Sequence, residues 1–238
     1  MSKLCGCKVL SAAAAVGLSV LLANNAQAGF TTIGPPNHGN GGEATQAEIL
    51  SNSYGGTFTA NGLNFSNGSL TATRIDDSND QVLADSAVSF KTLASFAALS
   101  QGLGYGSVSS PTQLFTVTGK GFSATGSASV DVPAGTTLVR TGGGVNQSSK
   151  NSDNQDGMDH LVTYLLTGSS VKSPTYVLFW EDKTKQQRSD FDFNDLVVEV
   201  KTAGSTVVPL PAAAWSGLIT LAGAGLVTSY RKARRTMA

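Results

Sequence analysis

The sequence predicts a mainly β protein: an antiparallel β-sandwich with one or two short helices, preceded by an N-terminal signal helix and followed by a C-terminal transmembrane helix. Short segments of alternating apolar and polar residues recur between turn residues, and no long amphipathic helix separates them. Both ends of the chain have the composition of targeting segments. With those ends set aside, the remainder of the 238 residues is long enough for one buried core.

The first 28 residues have the pattern of a signal peptide. Lys3 and Lys8 supply a short positive region, and Val9 to Ala23 is an almost unbroken apolar run. Ala26 and Ala28 form the small-x-small pattern that signal peptidase reads, so we expect cleavage after Ala28. The alternative is a short membrane anchor that is not cleaved.

Residues 29–42 are rich in Gly and Pro and are predicted to be a flexible segment that leads into the domain. The β-sandwich domain is predicted to span residues 43–201. One helix is predicted at Glu43 to Leu50, where small and apolar residues recur on one face. Ser95 to Leu99 could form a second helical turn. Neither helix is long enough to form a layer of the fold.

Nine other segments of the domain are predicted strands, because β-branched and aromatic residues alternate with polar residues between turns. These segments are Gly56 to Ala60, Leu70 to Ile75, Ala87 to Leu93, Gln113 to Val117, Ala128 to Val132, Thr137 to Arg140, His160 to Leu166, Tyr176 to Trp180 and Leu196 to Lys201.

The domain is acidic once the terminal segments are excluded. Residues 29–201 contain ten basic and sixteen acidic residues, so their net charge is minus six although the whole chain is formally neutral. Nucleic acid is therefore excluded as a partner, because phosphate binding needs a basic surface. Cys5 and Cys7 both precede the apolar run of the leader, so the exported protein would have no thiol for a disulfide or a zinc site.

The acids are concentrated in the C-terminal part of the domain, where nine of the sixteen lie between Asp153 and Glu199. Like charges held close together must be solvated or neutralised. A hard cation such as Ca²⁺ neutralises them through about six to eight oxygens from carboxylates, amides and main-chain carbonyls. The alternative is that these acids are solvated loop charges, partly paired with nearby basic residues.

Two acidic stretches lie at the ends of predicted strands. Glu181 and Asp182 follow one strand, and Asn194 and Asp195 precede the next, so an antiparallel pairing would bring these ends together. The apolar residues change parity near Asn194, which predicts a turn or bulge there with buried polar side chains. Phe191 and Phe193 would hold this loop against the core.

No pattern of a known catalytic site is present. The chain has only two histidines, His38 and His160, and it lacks a Gly-x-Ser-x-Gly elbow, a His-Glu-x-x-His pair and a Walker-type loop. We expect His160 to be a strand-edge residue that hydrogen-bonds to a loop. The sequence favours a non-enzymatic protein, and the alternative is a secreted polysaccharide-active hydrolase that uses the acidic cluster.

The C-terminal end carries a proline-containing motif, an apolar helix and a basic cluster. Residues 202–207 are a predicted linker, and residues 212–230 form an apolar stretch of roughly 28 Å, enough to cross a bilayer. The basic residues after it would stay in the cytoplasm, which places the domain outside. An ordinary anchor that is never cut is the alternative. The motif before the helix consists of Val208, Pro209, Leu210 and Pro211.

This tail resembles a PEP-CTERM sorting signal, within residues 208–238, with Leu210 in the place of the usual glutamate. The resemblance implies processing by an exosortase, membrane association through the helix before cleavage, and a location at the surface of bacteria that make exopolysaccharide. We therefore expect an exosortase-sorted cell-surface or extracellular-matrix protein associated with exopolysaccharide or biofilm.

The region from Asp153 to Val200 also resembles an uncharacterised β-rich domain of exported bacterial proteins that closes on an Asp-Phe-Asn-Asp stretch. That resemblance implies a Ca²⁺ site. The residues to which it assigns the metal are Asp153, Asp156, Asp159, Glu181, Asp182, Asp190, Asp192, Asn194 and Asp195.

Overall fold

The computed structural model describes residues 43–184, 187 and 189–203. The predicted signal peptide, the flexible leading segment, the sorting motif and the transmembrane helix lie outside these residues, as do residues 204–207 of the predicted linker. Within the described part of the chain, no helix combines the length and the apolar character needed to span a membrane.

The described residues form two antiparallel sheets and one α-helix, with two single 3-10 turns at Asp77–Asn79 and Asn151–Asp153. The elements are α1 (Gln46–Tyr54), β1 (Thr59–Asn61), β2 (Asn64–Ser66), β3 (Leu70–Arg74), β4 (Ala87–Ala94), β5 (Gln101–Ser107), β6 (Ser110–Thr116), β7 (Ser127–Ala128), β8 (Leu138–Gly142), β9 (Gln147–Ser148), β10 (Leu161–Gly168), β11 (Thr175–Trp180) and β12 (Leu196–Thr202). The large sheet has the order β1-β2-β3-β10-β11-β12-β4-β7, and the small sheet has the order β6-β5-β8-β9. The mainly β prediction is confirmed.

Both faces of the large sheet are buried. On one face Trp180 and Val198 pack in a cluster with Leu103 of the small sheet. On the other face Phe179 packs in a second cluster with Leu50 of α1. Because successive strand residues point to opposite faces, β11 and the first three residues of β12 are apolar at nearly every position. The small sheet, the large sheet and α1 are therefore stacked as three layers.

The helix begins three residues later than predicted because Thr45 caps it. The Thr45 hydroxyl accepts from the Glu48 N–H at 3.2 Å, and the Glu48 carboxylate accepts from the Thr45 N–H at 2.8 Å. The helix ends at Gly55, whose φ of 77° suits glycine. Residues before the cap, including Glu43, are therefore outside the helix.

Three strands are absent from the prediction, and β5 shows why. This strand is rich in glycine, which on sequence grounds indicates turns. A Cβ at Gly104 would lie 2.7 Å from the main-chain oxygen of Thr112 on β6, so only glycine permits this approach. The other two missed strands, β2 and β9, are three and two residues long.

Several predicted boundaries are wrong. Ser95 to Leu99 is not helical, because Ser95 forms a β-bridge with Gly121. Only the last part of Gly56 to Ala60 is a strand, and of Ala128 to Val132 only the first residue lies in β7. Thr202, assigned to the linker, belongs to β12, and its N–H donates to the Pro174 carbonyl at 3.2 Å.

The strand register brings several strand ends to one end of the large sheet. Leu161, the first residue of β10, pairs with Trp180, the last of β11, and Trp180 pairs with Leu196, the first of β12. β4 also ends here, beside β12, whereas β3 ends at Arg74, opposite Tyr164 and three residues short of the start of β10. We call this end of the large sheet the rim.

Candidate metal centre

Three acids converge at the rim. Glu181 and Asp182 directly follow β11, and Asp195 directly precedes β12. The pairing of Trp180 with Leu196 continues outward, so Glu181 lies opposite Asp195. One carboxylate oxygen from each of the three acids lies within 4.8 Å of the others. We call these three residues the carboxylate cluster.

The carboxylate cluster is buried and only partly hydrogen-bonded. The exposed fractions of Glu181, Asp182 and Asp195 are 0%, 5% and 7%. The Asp182 N–H donates to Asp195 Oδ2 at 2.7 Å, and the Gln101 amide donates to Asp182 Oδ2 at 2.9 Å. Among the described residues, Glu181 Oε2 and Asp182 Oδ1 have no hydrogen-bond partner. Such buried oxygens cost free energy unless a cation or water binds them.

Burial and mutual repulsion oppose ionisation of these acids. Burial, followed by the charges of Glu181 and Asp182, raises the pKa of Asp195 to about 9. Burial and the neighbouring Asp190 raise the pKa of Glu181 to about 7. The metal-free site therefore holds protons near neutral pH, and a divalent cation could replace them.

Arg140 is a buried cation next to the carboxylate cluster. Its side chain is fully buried, and it donates to Gln101 Oε1 at 2.9 Å and to Gln147 Oε1 at 2.7 Å. It also reaches the main-chain oxygen of Asp182 at 3.2 Å. Burial lowers the pKa of Arg140, whereas the nearby carboxylates raise it. Lys183 is a second positive charge near the cluster: burial lowers its pKa, but the charges of Asp190, Asp182, Asp195 and Glu181 raise it overall.

A second group of acids lies beside the cluster. Carboxylate oxygens of Glu43, Asp190 and Asp192 lie within 4.8 Å of one another. Burial and the charge of Asp190 raise the pKa of Asp192 to about 7. The Asn194 amide donates to Asp192 Oδ2 at 2.9 Å and to the Ala44 carbonyl at 3.1 Å, which ties this loop to the segment before α1. The two groups together offer oxygens from three segments of the chain.

The loop before β12 has an unusual backbone. Phe191 and Phe193 both have positive φ, at 56° and 55°, in the region that favours glycine. Phe193 is 1% exposed and packs in the core with Val197, on the face opposite to Leu196. Burial of the ring offsets the backbone cost, and Asp192 and Asn194, which flank Phe193 in the sequence, are buried. Asn194 and Asp195 are buried, as predicted.

The other predicted metal ligands lie elsewhere. Asp153 is exposed, and its Oδ1 lies 3.8 Å from Lys150 Nζ. Asp156 contacts the ring of His160. Asp159 receives the Leu161 N–H at 2.9 Å and lies near Asp77, not near Asp195. Of the nine residues, six lie in the two groups: Glu181, Asp182 and Asp195 form the carboxylate cluster, and Asp190, Asp192 and Asn194 belong to the group beside it.

His160 is a fully buried structural residue. Its Nε2 lies 3.0 Å from Asp156 Oδ1, and its Nδ1 lies 3.0 Å from the amide nitrogen of Gln147. These partners fit a neutral imidazole with its proton on Nε2. Burial lowers the pKa of His160. The expectation of a histidine bonded to a loop is confirmed, and Asp159 is not its partner.

Sequence reasoning missed Glu43, Gln101 and Arg140. Glu43 looked like the first residue of a helix, and the capping pair of Thr45 and Glu48 was the signal that the helix starts later. Gln101 and Arg140 belong to the small sheet, and no local pattern connects them with an acid more than forty residues away.

No family model matches the chain, and no curated protein matches it. Among solved structures, the Chromobacterium violaceum lectin CV2L in complex with α-methyl-fucoside is similar to this chain at 19% identity and a TM-score of 0.32. The match covers 50% of this chain and 88% of the lectin. A similarity of this size supports no statement about the ligand.

Proposed function

We propose that this chain is an exported, non-enzymatic surface or extracellular-matrix protein whose domain binds Ca²⁺ at the carboxylate cluster. The observation that carries the metal proposal is the burial of Glu181, Asp182 and Asp195 with their oxygens within 4.8 Å of one another. Three buried like charges are unfavourable without a cation or protons.

The donor atoms favour calcium over the other common metals. Carboxylates and main-chain carbonyls are hard oxygen donors, whereas zinc sites are built from cysteine and histidine. The single described histidine is occupied by Asp156 and Gln147. The acids come from two segments, one after β11 and one before β12. An irregular set of oxygens of this kind suits the flexible coordination of Ca²⁺ better than the strict octahedron of Mg²⁺.

A hydrolase is the second candidate, and the geometry favours it less. The two carboxyl groups of a glycosidase lie about 5 Å or more apart on either side of a bound sugar. The oxygens of the carboxylate cluster are closer together, and none of the three acids is more than 7% exposed. A polysaccharide chain would not reach them without opening of the domain.

Export and sorting are supported by the ends of the sequence, which lie outside the described residues. The leader ending at Ala28 and the Val208 to Pro211 motif followed by an apolar stretch and basic residues are the basis of this part of the proposal. Extracellular calcium is abundant enough to fill weak sites. Association with exopolysaccharide or biofilm follows from the PEP-CTERM resemblance alone.

Thermal unfolding of the purified full-length chain in calcium and in EDTA tests the metal proposal. At calcium about 100-fold above Kd, binding to the folded state adds about 2.7 kcal/mol, or about 5–10 °C in Tm. Asp182→Asn and Asp195→Asn should each lose most of that gain. Asp131→Asn, at an exposed acid, should keep it. A wild-type Tm that is the same in calcium and EDTA would show the proposal to be wrong.

A further inference from the structure

A small cavity lies on the face of the large sheet that packs toward the small sheet, and it shares no residue with the carboxylate cluster. Its floor comes from three neighbouring strands. Thr163 of β10 pairs with Leu178 of β11, and Tyr176 of β11 pairs with Val200 of β12, so all four side chains lie on one face. Residues of segment 75–84 line the other side of the cavity, whose volume is about 40 Å³.

The lining of the cavity is mostly aliphatic, with buried polar atoms at one place. Its aliphatic residues include Leu83, Leu138, Leu161, Leu178 and Val200. Asp80 and Thr163 also line it, and they are only 8% and 5% exposed. Among the described residues, both carboxylate oxygens of Asp80 and the hydroxyl of Thr163 lack a hydrogen-bond partner. Three buried oxygens at this cavity are therefore available to a ligand.

The cavity contains an acid and is not lined by any lysine, arginine or histidine. Arg74 is close enough to influence Asp80, but it packs on the other face of the sheet. Its guanidinium lies 5.8 Å from the centroid of the Tyr164 ring, and it donates to the Ile75 carbonyl at 3.3 Å. Tyr164 and Thr163 point to opposite faces of β10, because they are consecutive strand residues. A cationic ligand would supply the positive charge that the cavity lining lacks.

We propose that this cavity binds a primary ammonium group carried on an alkyl stem. An ammonium has three N–H donors, and the two oxygens of Asp80 with the hydroxyl of Thr163 offer three acceptors. The aliphatic lining suits the methylene groups of the stem. A metal ion fits less well, since Ca²⁺ takes about six to eight oxygens.

The size of the cavity limits how much of the ligand it can enclose. A water-sized atom needs roughly 10–15 Å³ of such volume, so about 40 Å³ accepts the nitrogen and the first two carbons. Val82 lines the cavity and is 41% exposed, as befits a residue at its mouth. The rest of the stem would leave the cavity on this side. The ligand is therefore the end of a linear amine.

The charge state of Asp80 is consistent with this ligand. Burial raises the pKa of Asp80 to about 8, with Asp77 adding to the rise and Thr163 and Arg74 opposing it. The empty cavity therefore holds a protonated acid at neutral pH. An ammonium ion would take the place of that proton and stabilise the carboxylate.

An NMR titration of the purified full-length chain with n-propylammonium tests this site. EDTA is present throughout, so the result does not depend on the calcium site proposed above. 1-Propanol is the matched ligand, because it has the same stem without the charge. Wild type and the exposed-acid variant Asp131→Asn should bind propylammonium at least tenfold more tightly than propanol. Absence of binding, or equal affinity for the two ligands in wild type, overturns the proposal.

Asp80→Asn keeps the shape of the side chain and removes its charge, so it should lose at least tenfold in affinity for propylammonium. If it binds as tightly as wild type, the amine lies elsewhere on the acidic surface and the proposal is wrong. Circular dichroism shows whether this variant is folded. If it is not, Thr163→Val replaces it, since it removes one acceptor at constant shape. We then expect a loss of several-fold, and an unchanged affinity overturns the proposal.

A free amine and the lysine side chain of a peptide share this chemistry. Nα-acetyl-lysine methylamide distinguishes the two sources in the same titration. An affinity equal to that of propylammonium would support a lysine of a partner protein as the ligand. An affinity at least tenfold lower would support a free alkylamine.

Discussion

The main-chain N–H of Asp182 donates to Oδ2 of Asp195 at 2.7 Å. This bond joins the end of β11 to the residue before β12, so two acids thirteen positions apart in the sequence are held against each other. The hydrogen bond favours the ionised form of Asp195, but burial and the charges of Glu181 and Asp182 outweigh it. The three acids therefore need protons or a cation to offset their mutual repulsion.

Without metal, the domain should become less stable as pH rises. The folded-state pKa of Asp195 is about 9 and that of Glu181 about 7, both above the unfolded values near 4. Stability from these groups is present below about pH 4 and is lost as pH rises through 7 to 9. We expect a lower Tm in EDTA at pH 9 than at pH 5.

Calcium should reverse this trend, because it binds the ionised carboxylates. The Tm gain on adding calcium should be larger at pH 8 than at pH 5. Asp195→Asn serves as the matched variant, since it removes one titrating group and keeps an oxygen for the Asp182 N–H. A Tm in EDTA that is constant or rises from pH 5 to 9 in wild type would contradict the assignment.

Trp180 should report binding at the carboxylate cluster. It is fully buried, directly precedes Glu181, and its Nε1 has no hydrogen-bond partner among the described residues. Terbium, which prefers oxygen ligands as calcium does, should emit when Trp180 is excited. Trp180→Phe should remove most of the emission. Emission that persists in Trp180→Phe would place the bound ion elsewhere.

Phe193 should stabilise both the fold and the metal loop. Loss of a buried phenylalanine ring typically costs about 3–5 kcal/mol, so Phe193→Ala should lower the free energy of unfolding by that amount. Asp192 and Asn194 would then be less ordered, and calcium affinity should fall. Chemical denaturation and a calcium titration measure the two effects.

Two further variants separate the stabilising contribution of the Phe193 ring from the cost of its backbone conformation. Phe193→Gly should be more stable than Phe193→Ala by about 1 kcal/mol, because a φ of 55° suits glycine. Phe122→Ala, at a ring that is 44% exposed, should cost much less than either. If Phe193→Ala and Phe122→Ala were equally mild, the ring would not hold the loop.

Processing at the two ends of the chain can be tested independently of metal binding. Protein recovered from the cells that make it should begin after Ala28 and should lack the residues beyond the Val208 to Pro211 motif. Intact-mass spectrometry measures both ends. Residues retained after Pro211 would indicate an uncleaved anchor, and residues retained before Ala28 would contradict the signal peptide.

The sequence indicated that Glu181 and Asp195 meet because they lie at the ends of two strands that are neighbours in the chain. Strands that end in Glu181 and begin after Asp195 must meet if they pair as antiparallel neighbours, and the change of parity near Asn194 marked a buried turn. The resemblance to an uncharacterised β-rich domain also assigned Asp153 and Asp156 to the site, but closeness in sequence does not show which direction a loop takes. Lys150 and His160 are their actual partners.

The acidic turn that follows β3 was not singled out from the sequence. Asp76, Asp77 and Asp80 stand in a short stretch that looks like an ordinary polar turn. Only the pairing of β3 with β10 brings Asp80 to the cavity that Thr163 lines. β5 was missed for a related reason, since its glycines fit a close neighbouring strand that the sequence alone does not reveal.

The sequence by itself determined the mainly β class, most of the strands, the acidic charge of the domain and the meeting of Glu181 with Asp195. These follow from alternation, composition and the pairing of neighbouring strands, all of which are short-range properties of the chain. The tertiary structure decided which acids lie together and that Arg140 is buried beside them. Such contacts depend on strand order and loop direction, which burial of the whole core selects and no local pattern encodes.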